Sequence, residues 1–230
     1  ALPILKRAQL AAVLAVMLAL CGCFSKQEGG QDLRGFEQGG EEAPQIVRQE
    51  FDYTEDGVIV PEQAKAVIEE RSDRVIRLIR DKDSRTLAGF VHPEKGVRFT
   101  PYTYVMVDTD VVLNRDKIAD FFEDDTEYLW GYFDGTGDEI LMTPRQYYQR
   151  FIYTRDFASA PEVGYNEVLS YGNMLENQFK VYHNPIVVEY YFPGMNPDYG
   201  GLDWRSLRLV FEQFEGQWYL VGIINNEWTV

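Results

Sequence analysis

Cysteine is nearly absent from these 230 residues: there are two, Cys21 and Cys23, both at the N-terminal end. Everything after Cys23 therefore lacks disulfide staples and thiol nucleophiles. Its stability must come from an apolar core, which a single domain of this length can supply. Histidine is equally scarce, with only His92 and His183, far apart in sequence. Zinc sites want clustered His and Cys ligands, so no metal centre is expected, and nothing implies a cofactor. No Gly-x-Ser-x-Gly elbow occurs, which leaves serine-hydrolase chemistry unsupported. No phosphate-cradling loop occurs either, because Gly135 and Gly137 precede acids. There is no internal repeat, no coiled coil, and no apolar run of the roughly 20 residues that span a bilayer as a helix. Positive charge is outnumbered, with 22 Lys and Arg against 37 Asp and Glu, a net charge of −15. So acidic a chain repels nucleic-acid phosphates, and no nucleic-acid partner is expected. Basic ligands, cations or basic wall polymers suit it better, although acidity also serves solubility alone.

What is present begins at the N-terminus. Lys6 and Arg7 supply positive charge, Leu10 to Leu20 is unbroken apolar sequence, and Leu20-Cys21-Gly22-Cys23 follows. Charge, short apolar core and small-residue cleavage site, in that order, make a secretory signal. The last four residues resemble the lipobox of bacterial lipoproteins, with Cys21 unusual in its second slot. The resemblance implies cleavage after Gly22 and acylation (palmitate-type chains) of Cys23. Two acyl chains hold a protein at a membrane without a transmembrane helix. The expected address is the extracytoplasmic face of the cell membrane. Phe24 is not the Asp used for inner-membrane retention, so a host with two membranes implies the outer one. Loss of Lys6 and Arg7 would move the net charge from −15 to −17.

Residues 23–44 are rich in Gly, Gln and Glu and read as a flexible tether. Residues 45–230 read as one domain. Pro61 sits at a first helical position, and Ala64, Val67, Ile68, Val75, Ile76, Leu78 and Ile79 recur at helical spacing over Glu62–Lys82. A short helix restarts at Asp83 or Ser84 and stops before Pro93. Val97–Phe99 and Tyr102–Val107 look extended. Asn114 caps a short helix holding Ile118, Phe121 and Phe122. Tyr128–Phe133 and Glu139–Met142 flank Asp134-Gly135-Thr136-Gly137, a hairpin signal. Thr143-Pro144 starts another helix. Ile186–Phe192, Ser206–Phe214 and Gln217–Asn225 are strands, the last pair joined at Glu215-Gly216.

Helices first and long antiparallel strands last argue α+β: N-terminal helices packed on a curved antiparallel sheet. The order, with Asp83-Ser84-Arg85-Thr86-Leu87-Ala88-Gly89-Phe90-Val91-His92-Pro93 as a helix-to-His-Pro step and the hairpin Leu207–Phe211 with Trp218–Ile223, resembles the NTF2-like, cone-shaped fold over about Glu62 to Val230. That fold hosts binding modules and small acid–base enzymes, and it fixes no function. Segments such as His92–Phe99 and Asp203–Ser206 also resemble a set of uncharacterised bacterial lipoproteins, which adds a location and no reaction.

Tyr102 with Tyr104, and Tyr128 with Trp130 and Tyr132, have period two, so each set is expected on one strand face. On the concave face they would ring a mouth suited to something flat or sugar-like; otherwise they are core. The candidate ligand-binding residues are Arg98, Tyr102, Tyr104, Trp130, Tyr132, Glu189, Trp204 and Arg205, with Arg98 or Arg205 as charge partner of Glu189. Glu189 should share a strand face with Val187 and Tyr191, opposite Val188, Tyr190 and Phe192. The reading is a non-catalytic, lipid-anchored module for a small molecule, a cell-wall component or a protein. The alternatives are a hydrolase or isomerase using Asp108 or Glu189 with His92, and an assembly accessory. His92 is otherwise a helix-end residue bonded to backbone. Two acidic loops, Asp52–Gly57 and Asp134–Glu139, leave calcium open, although Gln63 stands where an EF-hand needs Glu and Asp-Gly is default turn chemistry.

Overall fold

Pro61 opens α1 (Pro61–Asp81), its missing N–H falling where a helix start has no internal acceptor. Ala64, Ile68, Val75, Ile76, Leu78 and Ile79 form the buried stripe of that helix. Asp83 caps α2 (Ser84–Ala88) by accepting from Thr86 N at 3.0 Å. Asn114 caps α3 (Arg115–Ala119) through Lys117 N. Thr143 and Gln146 form a capping box on α4 (Pro144–Tyr147). A π turn over Tyr148–Ile152 continues that helix, and Tyr147, Tyr148, Phe151 and Ile152 are all buried. The computed structural model describes residues 50–229. The signal at 1–22, the tether at 23–44 and Cys23 lie outside the described residues.

The strands are β1 (Val97–Thr100), β2 (Val111–Leu113), β3 (Tyr128–Tyr132), β4 (Glu139–Met142), β5 (Glu162–Tyr165), β6 (Ile186–Phe192), β7 (Arg205–Phe214) and β8 (Gln217–Glu227). Six of them form one sheet in the order β2-β1-β8-β7-β6-β5, while β3 and β4 make a separate hairpin. The architecture is the expected α+β class, with N-terminal helices packed on a largely antiparallel sheet. The sheet is antiparallel except where β1 runs parallel to β8, with Phe99 opposite Ile223.

Strand alternation gives this sheet two different faces. Ile186, Val188 and Tyr190 of β6 join Leu207, Leu209 and Phe211 of β7 in the main core, against α1 and the aromatics of α4. Val187, Val210, Val221 and Ile224 point the other way, into a smaller cluster with Val105 and Tyr182. A bulge keeps β8 on this plan. Val210 pairs Gly222 while Phe211 pairs Leu220, so Val221 is the extra residue. Leu220 and Ile223 consequently both reach the main core, and the strand bends. Gly222 is required there, because a Cβ would lie 2.4 Å from the Tyr182 hydroxyl.

Tyr102–Val107 is not the expected strand. Its backbone groups are met by side chains instead of a ladder. Asn177 accepts from Val105 N and donates to Val105 O, and Arg98 donates to Val107 O; just ahead of the segment, Asn225 donates to Pro101 O. The chain pairs again only at β2, three residues that carry little pattern of their own.

Candidate functional site

The aromatic residues singled out above separate into core and rim. Trp130 has no exposed surface. Its ring stacks on Tyr147 with centroids 3.9 Å apart, and its Nε1 donates to Met142 O at 2.8 Å. Phe99 and Phe151 extend the cluster, each packed against Tyr147. The interior that could have been a hollow cone is thus filled, with a void of only about 20 Å³ between the helices and Phe99. Period two does not carry β3 uniformly. A register shift between Leu129 and Tyr132, at Gly131 with φ 145°, leaves Tyr132 56 % exposed two residues from buried Trp130.

A cleft of about 270 Å³ opens at the rim beside this cluster. Tyr102, Tyr104, Met106, Asp110 and Tyr132 line it, with buried Trp130 directly behind them. Tyr102 and Tyr104 arrive on the side-chain-braced loop, and Tyr132 arrives from the β3–β4 hairpin. Four of the eight proposed ligand-binding residues therefore meet, though through a loop and a bulged strand, not one strand face. The cleft's carboxylate is Asp110. It accepts from Thr100 Oγ1 at 2.8 Å and Met106 N at 3.0 Å, both through Oδ2. Burial raises its pKa to about 6 despite those bonds and the nearby Arg98 charge. Burial likewise raises the Tyr102 hydroxyl. Asp108 and Asp110 are a carboxylate pair that the sequence offers for acid–base work; only Asp110 enters the cleft, where Thr100 of β1 and Met106 N, four residues back, set its place.

The other four candidates lie elsewhere. Glu189 is fully buried on the far face of β6, the side shared with Val187 as expected, and does not line the cleft. It accepts from Leu169 N, Ser170 N and the hydroxyls of Ser170 and Ser206. Its cation is Arg208, neither Arg98 nor Arg205: Arg208 Nε sits 3.2 Å from Glu189 Oε2, and Nη2 donates to Glu176 at 2.9 Å. Arg98 instead holds the Met106 and Val107 carbonyls, bracing the cleft loop from outside. Arg205 pairs with Glu227. Trp204 is buried against Tyr191 and the backbone of Gly172.

His92 is buried beside Phe214, and its Nδ1 accepts from Glu94 N and Lys95 N. It closes the turn after α2, and burial lowers its pKa. Among the described residues neither imidazole, of His92 or of His183, hydrogen-bonds a carboxylate, although His183 N donates to Glu212 Oε1, and Asp108 is an exposed turn residue. The Asp52–Gly57 loop is closed by its own turn, with Asp52 bound to Gln63. Asp134–Glu139 is the hairpin turn. Among the described residues no group of three His, Cys, Asp or Glu converges as a metal site.

An α+β domain with a solid core and an aromatic cleft at its rim is the class that fold and site define. No protein-family model and no curated protein matches the chain. A solved structure described as a calcium/calmodulin-dependent protein kinase II association domain from Xanthomonas campestris is similar at 13 % identity and TM-score 0.31, covering 70 % of this chain and 84 % of that one.

Proposed function

We propose that this chain is an extracytoplasmic lipoprotein, anchored through Cys23, whose domain binds a small amphipathic molecule without transforming it. The observation that carries the binding reading is the rim cleft: tyrosines and a methionine around one half-buried carboxylate. Aromatic walls with one polar group suit a flat ring or a sugar face. The anchoring reading rests on Leu20-Cys21-Gly22-Cys23 after a charged, apolar start. Among the described residues no helix is long and apolar enough to cross a membrane.

The test is native mass spectrometry of the protein purified from its own host. A bound small molecule is expected, lost in Tyr104→Ala and Tyr132→Ala, whose side chains are half exposed and carry little of the fold. No adduct, or an adduct kept by both variants, overturns the binding reading. Separately, Cys23→Ser should release the protein from membranes and remove the acyl mass. A protein that stays bound and unacylated either way overturns the anchor.

A second reading, acid–base chemistry in the same cleft, is favoured by one observation, the Asp110 carboxyl held near pKa 6. It replaces the expected Asp108 or Glu189 with His92. It predicts that the ligand recovered from Asp110→Asn differs chemically from that of the wild type.

A further inference from the structure

A second recess lies away from the cleft, between α1 and the β7–β8 turn. It encloses about 710 Å³ and is lined by Arg71, Arg74, Arg77, Glu70, Phe90 and Trp218, among others. Three arginines in one groove stand out in a chain whose net charge is −15. They recur every third residue on α1, so successive Cα atoms rise about 4.5 Å along the axis. Arg77 is tied to Asp73 at 3.0 Å. Arg71 and Arg74 hydrogen-bond no described residue and form no ion pair with one. The Arg71 Nε is shut away from solvent without an acceptor. Its guanidinium is flanked by aromatic faces, Phe90 at 4.9 Å and Tyr219 at 5.4 Å from the ring centroids. Such faces hold the plane of the guanidinium but accept no N–H bond.

From this we infer that the groove is an anion site for a phosphate ester, with Arg71 and Arg74 as its ligands and Phe90 and Trp218 as the apolar wall beside the ester's organic part. Phosphate fits better than a lone carboxylate. Its several oxygens can take bidentate bonds from one guanidinium and a further bond from the next turn. Glu70 is the one acid in the lining, and it selects against an anion that would fill the whole groove. The site is independent of the aromatic cleft. A lipid headgroup and a soluble phosphate ester present the same chemistry.

The test uses the full chain carrying Cys23→Ser, so that no acyl chain holds it on the vesicles. Inorganic pyrophosphate is titrated calorimetrically, and flotation is measured with phosphatidylcholine vesicles with and without phosphatidylglycerol. Arg74 is exposed, so Arg74→Gln should fold normally; Arg71→Lys keeps charge but loses the planar fork. Binding of one probe is expected, weakened about tenfold in each variant and strongly reduced by raising the salt. Tyr104→Ala should leave it unchanged. Pyrophosphate binding without flotation assigns a soluble ester, and flotation that needs phosphatidylglycerol assigns a headgroup. Neither probe binding, or binding equal in wild type and both variants, overturns the inference.

Discussion

Glu189 Oε2 lies 3.2 Å from Arg208 Nε, directly across the β6–β7 ladder, and neither side chain has any exposed surface. Ser170, Ser206 and two backbone N–H groups supply further bonds to the carboxylate, and Glu176 takes the far end of the guanidinium. Arg208 therefore sits between two acids on the face covered by residues 169–178.

Removing one member of a buried pair leaves a charge without its partner, which costs about 3–5 kcal/mol. Arg208→Met should lower the urea midpoint accordingly, with the slope unchanged. The double variant Arg208→Met with Glu189→Leu should recover much of that loss, because an apolar pair needs no desolvation of charge. A double variant as unstable as the single would mean that the serine and backbone donors, not the arginine, dominate the site.

Gly222 and Tyr182 make a sharper local case. A Cβ at residue 222 would meet the Tyr182 hydroxyl at 2.4 Å and Cζ at 2.9 Å. That hydroxyl is itself buried without a partner. Gly222→Ala should destabilise by about 1–3 kcal/mol through overpacking. Tyr182→Phe should be neutral or stabilising by up to about 1 kcal/mol, since it removes an unpaired polar atom. Combined, the two should cost less than their sum, as thermal unfolding would show.

Much of this fold is written locally. Pro61 and a 3.6-residue apolar repeat specify α1; Asp83, Asn114 and Thr143 announce the next helices; alternation specifies β6 and the faces of its residues. What escapes sequence reading is decided by distant partners. Nothing near Glu189 names Arg208, nineteen positions on. Tyr102–Val107 has strand-like residues, yet Asn177 and Arg98 claim its backbone groups before any strand can. The bulge at Gly131 breaks the alternation that would have put Trp130 and Tyr132 on one face.

Trp130 and Tyr132 should accordingly behave as different kinds of residue. Trp130→Ala removes a stacked ring and its bond to Met142 O, and should cost about 3–5 kcal/mol of stability. Tyr132→Ala should change stability by no more than about 0.5 kcal/mol while abolishing ligand retention. Equal stability losses in the two would place Tyr132 in the core and take away one wall of the cleft.

Asp110 ties the cleft to pH. Its folded-state pKa is raised from 3.8 to about 6 by burial, so the folded state holds the proton more tightly than the unfolded chain. The stabilisation is complete below about pH 4 and is lost as pH rises to about 6, with no further change above. Allowing for solvent at the cleft mouth, the loss amounts to about 2 kcal/mol. Asp110→Asn keeps an oxygen to accept from Thr100 and Met106 but cannot ionise. It should therefore be more stable than the wild type at pH 7 by up to that amount and equal to it near pH 3.5, the gap opening between about pH 4 and 6. Urea unfolding of both proteins at several pH values measures this directly. Because His92 and several carboxylates also titrate, the quantity that reports Asp110 is the difference between the two proteins, and a difference that stays constant from pH 4 to 6 would mean that burial does not raise the Asp110 pKa.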